Sequence, residues 1–529
     1  MIFSNPKELP WTVVCGGVIC LLAVLLVLGS SPAPRVGDGG EYLMMTIALA
    51  EEMQPFSDFR VERIYGQYIQ TRDGSFPSAH KLQETANGLT LGDQMDFPHF
   101  WFFSLLAVPF YHFLNAIGGD IGHCFTLLNL SLMGLLLWVA DRSLGRRGIT
   151  IALVICLLSP VLWFIDKGHT EFFTVSLATI GVIRFLKNDF TSSIAAFCLV
   201  STQNPPFIGV AGLVGLFGLS RDWKNLRVRW PILVLGLGIG LLHPVYYLVR
   251  HGNITPQMIT GAASHSAKGL RELTCFFVDP DVGLLSNWPW LLVPLLFVLG
   301  YVVFRYNRVN GFTVGFCAVS LLVLCWAQTK TNNFNHGGTV KISRYAVWYI
   351  PFAFPLLFQF ATNYRLAPTW QRWSLFGFLA AAVYVNTTKF HPDRGESFLY
   401  QTTIAENFYE NFPGWYDPIP EIFIERCVRA ELPTQAWAVS NRAGTKLIVH
   451  SGRLIKQRNW LHWGRKLDDV IGSEKPIDPA KLVQYINRES SVPTAIEWFY
   501  VNDPGDVFRN PAAQSQRVSQ RFAPSQPIR

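Results

Sequence analysis

Residues 11–29, WTVVCGGVICLLAVLLVLG, form an uninterrupted apolar run long enough to cross a lipid bilayer as a helix. Half of the 529 residues are apolar and only 15% are charged, a composition foreign to soluble globular domains. The chain is therefore predicted to be an α-helical polytopic membrane protein. Comparable runs occupy residues 124–140, 149–165, 230–249, 288–304, 311–327 and 345–361.

A cleaved signal peptide is the alternative interpretation of the first run, since Lys7 precedes it and small residues follow it at 30–33. We interpret it as an uncleaved first helix, because the later segments orient consistently with it. The lysines and arginines fall in short clusters between the apolar runs, as cytoplasmic loops do. The net charge of +8 is thus expected to reflect membrane topology and not a nucleic-acid partner.

Counting crossings between the basic clusters predicts about eleven transmembrane helices. Residues 97–118, FPHFWFFSLLAVPFYHFLNAIG, contain a central proline and several polar groups, so we predict a helix lying at the outer interface. The expected domains are a transmembrane module at residues 1–387, whose first outer loop (30–120) carries interfacial helices, an extracytoplasmic α/β domain at 388–510 and a disordered tail at 511–529. Alternation within residues 436–452 predicts a hairpin around Arg442 and Gly444.

The stretch VGDGGEYL, residues 36–43, places two carboxylates just beyond the first apolar run. A carboxylate near hydrocarbon costs several kcal/mol unless it is solvated or paired. The glycines allow close backbone approach to a ligand, and Glu41 begins an amphipathic stretch suited to an interfacial helix. We predict catalytic roles for Asp38 and Glu41; the alternative is that Asp38 only caps this helix.

Two short polar segments interrupt later apolar runs. IDKGHTEFF, residues 165–173, crowds Asp166, His169 and Glu171 into a tight turn, which we predict to be catalytic, with a solvated turn as the alternative. STQNPP, residues 201–206, lies between two short arms, so its tip is expected below the membrane surface, against protein or a water-filled cavity. We predict that Gln203 and Asn204 at this tip bind substrate.

The loop TNNFNHGGTVKISRYAVW, residues 331–348, leads into an apolar run. Lys341 and Arg344 stand at a helix start, where a lipid phosphate at the bilayer surface can be held. We predict that His336, Lys341, Arg344 and Tyr345 bind substrate. The alternative is simple anchoring of basic residues at the interface.

Other polar features carry less information. Asp279 and Asp281 flank a proline, a pattern that favours a turn over a divalent-cation site. Cys275 and Cys427 are the two of nine cysteines in polar segments, and they could form a disulfide in an oxidising compartment. The sequence has no nucleotide-binding glycine loop, zinc ligand set or nucleophile elbow, which argues against a cytoplasmic nucleotide site.

Several features together resemble the GT-C superfamily of glycosyltransferases. They are the first span, the early acidic motif of the outer loop, the helix beginning Pro98-His99, the span that ends at Arg146-Arg147-Gly148, and the acidic second turn. The resemblance covers residues 11–204 in arrangement and the rest more loosely. Protein O-mannosyltransferases, oligosaccharyltransferases and aminoarabinose transferases belong to this superfamily and use polyprenyl-phosphate-linked sugars on the outer or lumenal face.

The resemblance implies an enzyme that moves a sugar from a polyprenyl-phosphate donor to a glycan, lipid or protein acceptor. It implies an inverting displacement with an acidic general base, either Asp38 or Glu41, since the family's adjacent Asp-Glu pair is spaced out here. The second acidic position falls at 166–171 and the donor-phosphate loop at 335–344. No cofactor is required, although a divalent cation could take part. The expected location is a bacterial inner membrane, with the site and the C-terminal domain on the periplasmic face.

Two other classes of protein share such a topology. A transporter or flippase for a lipid-linked or anionic substrate would carry charged groups at mid-span, whereas the apolar runs here are nearly free of charge. A polysaccharide polymerase or ligase also uses lipid-linked sugars, and the chemistry of the donor would separate it from a transferase. The membrane transferase is therefore the preferred hypothesis.

Overall fold

The computed structural model describes residues 16–17, 19–20, 36–73, 89–91, 94–260, 263, 269–294, 296, 311–331, 333–335, 339–363, 369–431, 437–462, 471–472, 478–489 and 498–502. Most of the predicted first span, the predicted tail and His336 lie outside these residues. The described chain is mainly helical.

The segment predicted as the first outer loop contains helices α1 Gly39–Glu52 and α2 Phe59–Asp73 and an antiparallel ribbon of β1 Thr90–Leu91 with β2 Gln94–Met95. The helix α1 is buried continuously over residues 41–48 and packs against α3, Phe102–Ile117. An amphipathic interfacial helix was predicted at this position; the helix forms and residues 41–48 are buried, and its place at the membrane interface stays a prediction. Consecutive apolar residues from Tyr42 to Met45 leave the helix no polar face, so protein covers it on all sides.

The helix α3 lies where the interfacial helix at residues 97–118 was predicted, but it begins later, at Phe102. Its 16 residues are fewer than the roughly 20 that cross a bilayer. The residues between β2 and α3 form an irregular segment. His99 lies in this segment, just before the start of α3.

An acidic side chain fixes this irregular segment to a later helix. Asp96 is buried and accepts hydrogen bonds from Tyr246 (2.7 Å), Arg250 (2.5 Å) and His251 (3.0 Å). All three lie at the end of α9, Trp230–His251. The position of His99, three residues after Asp96, is therefore held by a distant part of the chain.

The helix α4, Cys124–Leu157, covers the predicted span 124–140 and most of the predicted span 149–165. Gly145 within it has a φ of 65° and interrupts the regular helix beside the arginine cluster, a conformation that glycine adopts with little cost. Four described stretches are long and apolar enough to cross a membrane, which indicates an integral membrane protein. They are Ile121–Leu157, Trp230–His251, Gly311–Gln328 and Arg344–Thr362. The count of about eleven crossings stays a prediction.

The helices between α4 and α9 form the middle of the bundle. They are α5 Glu171–Leu186, α6 Phe190–Ser201, α7 Phe207–Arg221 and α8 Trp223–Val228. The helix α6 packs against α5, α7 and α9, and α5 also packs against α4. Aromatic rings stack between these helices: the centroids of Phe197 on α6 and Phe207 on α7 lie 6.3 Å apart, with 12° between the ring planes. The apolar core of the membrane part is thus built around α5 and α6.

In the part of the chain after α9 that the structure describes, seven helices precede or end at Lys389. They are α10 Pro256–Ile259, α11 Leu270–Val278, α12 Leu284–Asn287, α13 Gly311–Gln328, α14 Arg344–Val347, α15 Phe354–Asn363 and α16 Thr369–Lys389. Short 3-10 turns cover Ile121–His123, Pro160–Phe164, Pro289–Leu291 and Ile350–Ala353. The last of these turns joins α14 to α15 in one membrane-length stretch.

Helices and a sheet follow Lys389. The helices are α17 Thr403–Asn411, α18 Pro420–Val428, α19 Ser451–His462 and α20 Pro479–Glu489. The four strands β3 Ala438–Ser440, β4 Lys446–His450, β5 Ile471–Gly472 and β6 Trp498–Asn502 pair in the order β5-β3-β4-β6. The predicted hairpin is confirmed: β3 and β4 are antiparallel, and Gly444 turns between them with a φ of 76°. A small apolar cluster, including Trp437 and Leu482, lies beside this sheet.

Candidate active site

The two carboxylates of VGDGGEYL meet a histidine and an arginine from distant parts of the chain. His99 Nε2 lies 3.2 Å from Asp38 Oδ2, and His99 Nδ1 lies 2.8 Å from Glu41 Oε2. The guanidinium of Arg344, at the start of α14, donates to Asp38 Oδ2. We call Asp38, Glu41, His99 and Arg344 the Asp38 cluster.

Asp38 stands at the N-cap position of α1, yet its side chain makes no capping hydrogen bond. Its carboxylate faces His99 and Arg344 instead. Residues three apart lie on one side of a helix, so Glu41 reaches the same histidine. The capping alternative is therefore wrong, and two cations provide the pairing that a carboxylate needs at a buried helix end.

The pKa values of the groups in the Asp38 cluster are shifted in different directions. Burial alone would raise the pKa of Asp38, but Arg344 and His99 outweigh it and hold this pKa well below its usual range. Burial raises the pKa of Glu41 despite the opposing effect of His99. Burial alone would lower the pKa of His99, but Asp38 and Glu41 raise it to about 10. At neutral pH Asp38 is ionised and His99 is positively charged.

Two glycines allow α1 to lie close to the turn at residues 166–171 and to α2. A Cβ atom on Gly168 would lie 3.3 Å from the Cα atom of Gly39, and one on Gly40 would lie 2.9 Å from the hydroxyl of Tyr65. The His169 Nε2–H donates to the carbonyl oxygen of Val36 at 2.9 Å. The predicted second acidic turn therefore lies directly against the start of α1.

The side chains of this second turn are buried, so the solvated-turn alternative is wrong. His169 Nδ1 and Glu171 Oε2 lie 3.5 Å apart, behind the Asp38 cluster. Asp166 lies in a different place: it pairs with buried Lys167 at 2.5 Å, and Lys167 also donates to the carbonyl oxygen of Pro392 at 2.5 Å. The turn thus places two of its three predicted residues beside the cluster and the third against the segment after α16.

The predicted phosphate loop separates into two sites. Arg344 reaches Asp38, whereas Lys341 Nζ donates to the carbonyl oxygen of Gln401 at 2.9 Å. The backbone of Lys341 is left-handed, with a φ of 63°, and the chain changes direction there. Tyr345 packs its ring against Trp348, with 4.7 Å between ring centroids. Lys341 and Arg344 therefore have different partners, and their binding of substrate stays a prediction; His336 lies outside the described residues.

The turn after α6 is buried next to the Asp38 cluster. Asn204 Nδ2 donates at 2.5 Å to a hydroxyl on α5, and His243 Nδ1–H donates to the carbonyl oxygen of Thr202 at 2.9 Å. The ring of His243 lies 5.2 Å from that of Phe100, the neighbour of His99. Both amide atoms of Gln203 are buried without a hydrogen-bond partner in the described part of the chain. Polar groups are thus buried at this turn, and the predicted depth of its tip below the membrane surface stays a prediction.

Sequence reasoning missed two contributors to the site. His99 was noted only as the start of a helix, although a histidine directly before an apolar helix is a usable signal. Glu396 Oε1 accepts the N–H of Gly37 at 2.6 Å across 359 residues of chain. No local pattern marks Glu396, because the contact depends on the tertiary fold.

Among the described residues, the Asp38 cluster is the group whose side chains could hold a divalent cation. Asp38, Glu41 and His99 offer ligand atoms that all lie within 4.8 Å of one another. Both ring nitrogens of His99 face carboxylates, and Arg344 donates to Asp38. A divalent cation here would have to displace the protons of His99 and the ion pair with Arg344.

The remaining sequence features are structural. Asp279 Oδ1 accepts the N–H groups of Asp281 and Val282 at 2.7 and 3.0 Å, so the predicted turn is confirmed. Asp281 pairs with Arg426 of α18 at 2.9 Å. Cys275 and Cys427 are both buried free thiols, so the disulfide considered between them does not form.

No protein-family model matches this chain, and no curated protein matches it. Among solved structures it is similar to two crystal structures of ArnT from Cupriavidus metallidurans, one in the apo state and one bound to undecaprenyl phosphate. Their TM-scores are 0.44 and 0.43, each at 14% identity, covering 73% and 70% of this chain. The chain spans only 65% and 63% of the ArnT chains, less than two thirds of their length.

Proposed function

We propose that this protein is a membrane glycosyltransferase that moves a sugar from a polyprenyl-phosphate donor to an acceptor on the extracytoplasmic face. The observation that carries the proposal is the meeting of Asp38 and Arg344, which lie 306 positions apart in the chain. Arg344 begins a stretch apolar and long enough to cross a membrane. A carboxylate and a cation therefore meet where the phosphate of a membrane-embedded lipid can reach them.

Asp38 is the general base of the proposed reaction. The acceptor hydroxyl loses its proton to Asp38 as its oxygen bonds to the anomeric carbon, and the bond from that carbon to the phosphate oxygen breaks. The Asp38 side chain is 23% exposed, against 7% for Glu41, so Asp38 is the carboxylate that an acceptor can reach. A single displacement of this kind inverts the anomeric configuration.

Arg344 binds the donor phosphate in this proposal. The leaving phosphate keeps its negative charge, and a guanidinium binds phosphate oxygens in pairs. A phosphate that shares Arg344 weakens the ion pair with Asp38, and the carboxylate becomes a stronger base. Donor binding thereby prepares the base for the acceptor.

His99 and Glu41 support these two residues. A protonated His99 supplies a second positive charge within 3.2 Å of Asp38, close to where the leaving phosphate would develop charge. Glu41 holds the imidazolium from its other side, at 2.8 Å. With two cations from side chains at the site, a metal ion is not needed for the reaction.

The test is sugar transfer by the purified protein in proteoliposomes. Radiolabelled polyprenyl-phosphate sugars are supplied with lipid, glycan and protein acceptors, and transfer is compared among wild type, Asp38→Asn and Asp393→Asn. We expect Asp38→Asn to lower kcat by about 100-fold or more, the usual contribution of a general base. Asp393 is an exposed carboxylate, 74% accessible, on the segment after α16, and its variant should keep wild-type activity.

A wild-type protein that turns over no donor would overturn the proposal. Movement of intact labelled lipid across the bilayer without transfer would do the same and would indicate a flippase. A diphosphate-linked oligosaccharide as the only accepted donor would identify a polymerase or ligase instead.

A further inference from the structure

A second concave site lies between the loop before α14 and the segments after Lys389. It is a cavity of about 270 Å³ lined by Lys341, Tyr400, Gln401, Glu406, Arg429 and Arg442. Arg426 and Cys427 complete its wall. Such a volume equals that of about nine water molecules, which is room for a phosphate with one sugar ring.

Positive charge dominates the wall of this cavity, with four cations and one carboxylate. The charge of buried Arg426 is matched by Asp281 at 2.9 Å. Lys341 Nζ donates to a main-chain carbonyl oxygen, and the guanidinium of Arg429 lies 5.2 Å from the ring centroid of Tyr400. In the described residues, neither Lys341 nor Arg429 is within ion-pair distance of a carboxylate. The cavity wall therefore carries more positive than negative charge.

Two of these cationic residues have an unfavourable backbone conformation. Lys341 and Arg429 have φ values of 63° and 58°, in the left-handed region that glycine or asparagine occupies at lower cost. Burial also lowers the pKa of Lys341, so an anion beside it would stabilise the charged form. Two cations held against local backbone preference thus line one cavity, as strained residues often do at binding sites.

The cavity is connected to the Asp38 cluster by two short pieces of chain. Lys341 precedes Arg344 by three residues, so their Cα atoms are no more than about 11 Å apart. Glu396 bonds to Gly37 beside the cluster, and Gln401, five residues later, lines the cavity. Short pieces of chain thus join the two sites, and a ligand in the cavity that acts as the acceptor must extend a hydroxyl to Asp38.

We propose that this cavity binds a phosphate-class anion, a mono- or diester, carried by the acceptor. This inference rests on the proposed function. Arg344 adjoins an apolar membrane-length stretch and is suited to the phosphate of the lipid donor. Arg429 and Arg442 instead follow α18 and β3, on the part of the chain rich in charge and strands. The donor phosphate and the acceptor phosphate therefore have separate sites.

The first test measures binding without catalysis. Full-length protein in nanodiscs is titrated with radiolabelled glucose 1-phosphate, in competition with inorganic phosphate or with glucose. We expect phosphate to compete and glucose not to compete. The double variant Arg429→Gln with Arg442→Gln should weaken binding about tenfold or more, since charged hydrogen bonds are lost. The matched control is Lys481→Gln, which removes an exposed cation of α20.

Binding of undecaprenyl phosphate, measured on the same samples, should stay within about twofold of wild type, because the proposed donor contact at Arg344 is unchanged. Loss of this binding in the double variant would assign the cavity to the donor and overturn the inference. Equal glucose 1-phosphate binding by wild type and double variant, or no binding by wild type, would also overturn it.

The second test compares transfer to one acceptor with and without its phosphate. We expect the double variant to raise the KM for the phosphorylated acceptor about tenfold and to leave its kcat unchanged. The KM and kcat for the unphosphorylated acceptor should also stay unchanged. If the wild type transfers no sugar at all, the proposed function fails, while the binding test still decides whether the cavity is an anion site.

Discussion

The protonation of His99 is a direct consequence of the two carboxylates that flank it. Its pKa of about 10, against 6.5 for an ordinary histidine, is a difference of about 3.5 pH units. Each pH unit is worth about 1.4 kcal/mol, so the interactions stabilise the folded protein by at most about 5 kcal/mol. The side chain is 21% exposed, and solvent reduces this value.

The sign of the pH dependence follows from the raised pKa. A group with a higher pKa in the folded than in the unfolded state contributes fully below the unfolded value, near pH 6.5. That contribution is lost as the pH rises from about 6.5 through about 10. We therefore expect stability and sugar transfer to fall over this range, as the imidazolium loses its proton.

The assay is nuclear magnetic resonance of protein labelled with ¹⁵N-histidine, in nanodiscs, between pH 5 and pH 11. The variant His99→Gln identifies the signal of His99, and His112→Gln, which removes an exposed histidine, serves as the control for the labelling pattern. We expect the His99 signal to remain that of an imidazolium beyond pH 8 and Glu41→Gln to lower its midpoint. Titration of His99 near pH 6.5 in the wild type would refute the reasoning, because the two carboxylates would then not be its partners.

Three further predictions follow from the same structure. Nuclear magnetic resonance of the product should show an inverted anomeric centre, and retention would exclude a single displacement. Dialysis against a chelator should leave transfer unchanged, because Arg344 and protonated His99 supply the positive charge; activity restored only by a divalent cation would contradict this. Arg250→Ala should destabilise the protein in thermal unfolding by about 3 kcal/mol or more, because it leaves buried Asp96 without its guanidinium. Exposed Arg227→Ala is the control and should change stability by less than about 0.5 kcal/mol, and equal effects of the two variants would contradict the anchoring role of Asp96.

Local sequence patterns were sufficient for elements whose cause is local. The hairpin at Gly444 and the turn at Asp279 were predicted because glycine and aspartate act on their own neighbours. The apolar runs gave membrane-length helices for the same reason. The burial of α1 on all sides was not predictable from its periodicity, because it depends on the helices that surround it.

The site could be predicted in part. Asp38 and Glu41 were predicted because carboxylates beside a membrane span are energetically costly and are therefore often functional. The division of the late loop between Arg344 and Lys341 depends on a left-handed backbone at a lysine, which no sequence rule anticipates. His99 was missed as a partner because its position is fixed by Asp96 and the end of α9, about 150 residues later in the chain.

The most direct test of the Asp38 cluster measures donor binding and turnover separately in Asp38→Asn and Arg344→Gln. Removing the Asp38 charge frees Arg344, so the Asp38→Asn protein should bind a polyprenyl-phosphate sugar at least as tightly as wild type. Its kcat should fall by about 100-fold or more. Arg344→Gln should instead weaken donor binding. If Asp38→Asn keeps wild-type turnover, or Arg344→Gln binds the donor as wild type does, the pairing of these two residues does not form the catalytic centre.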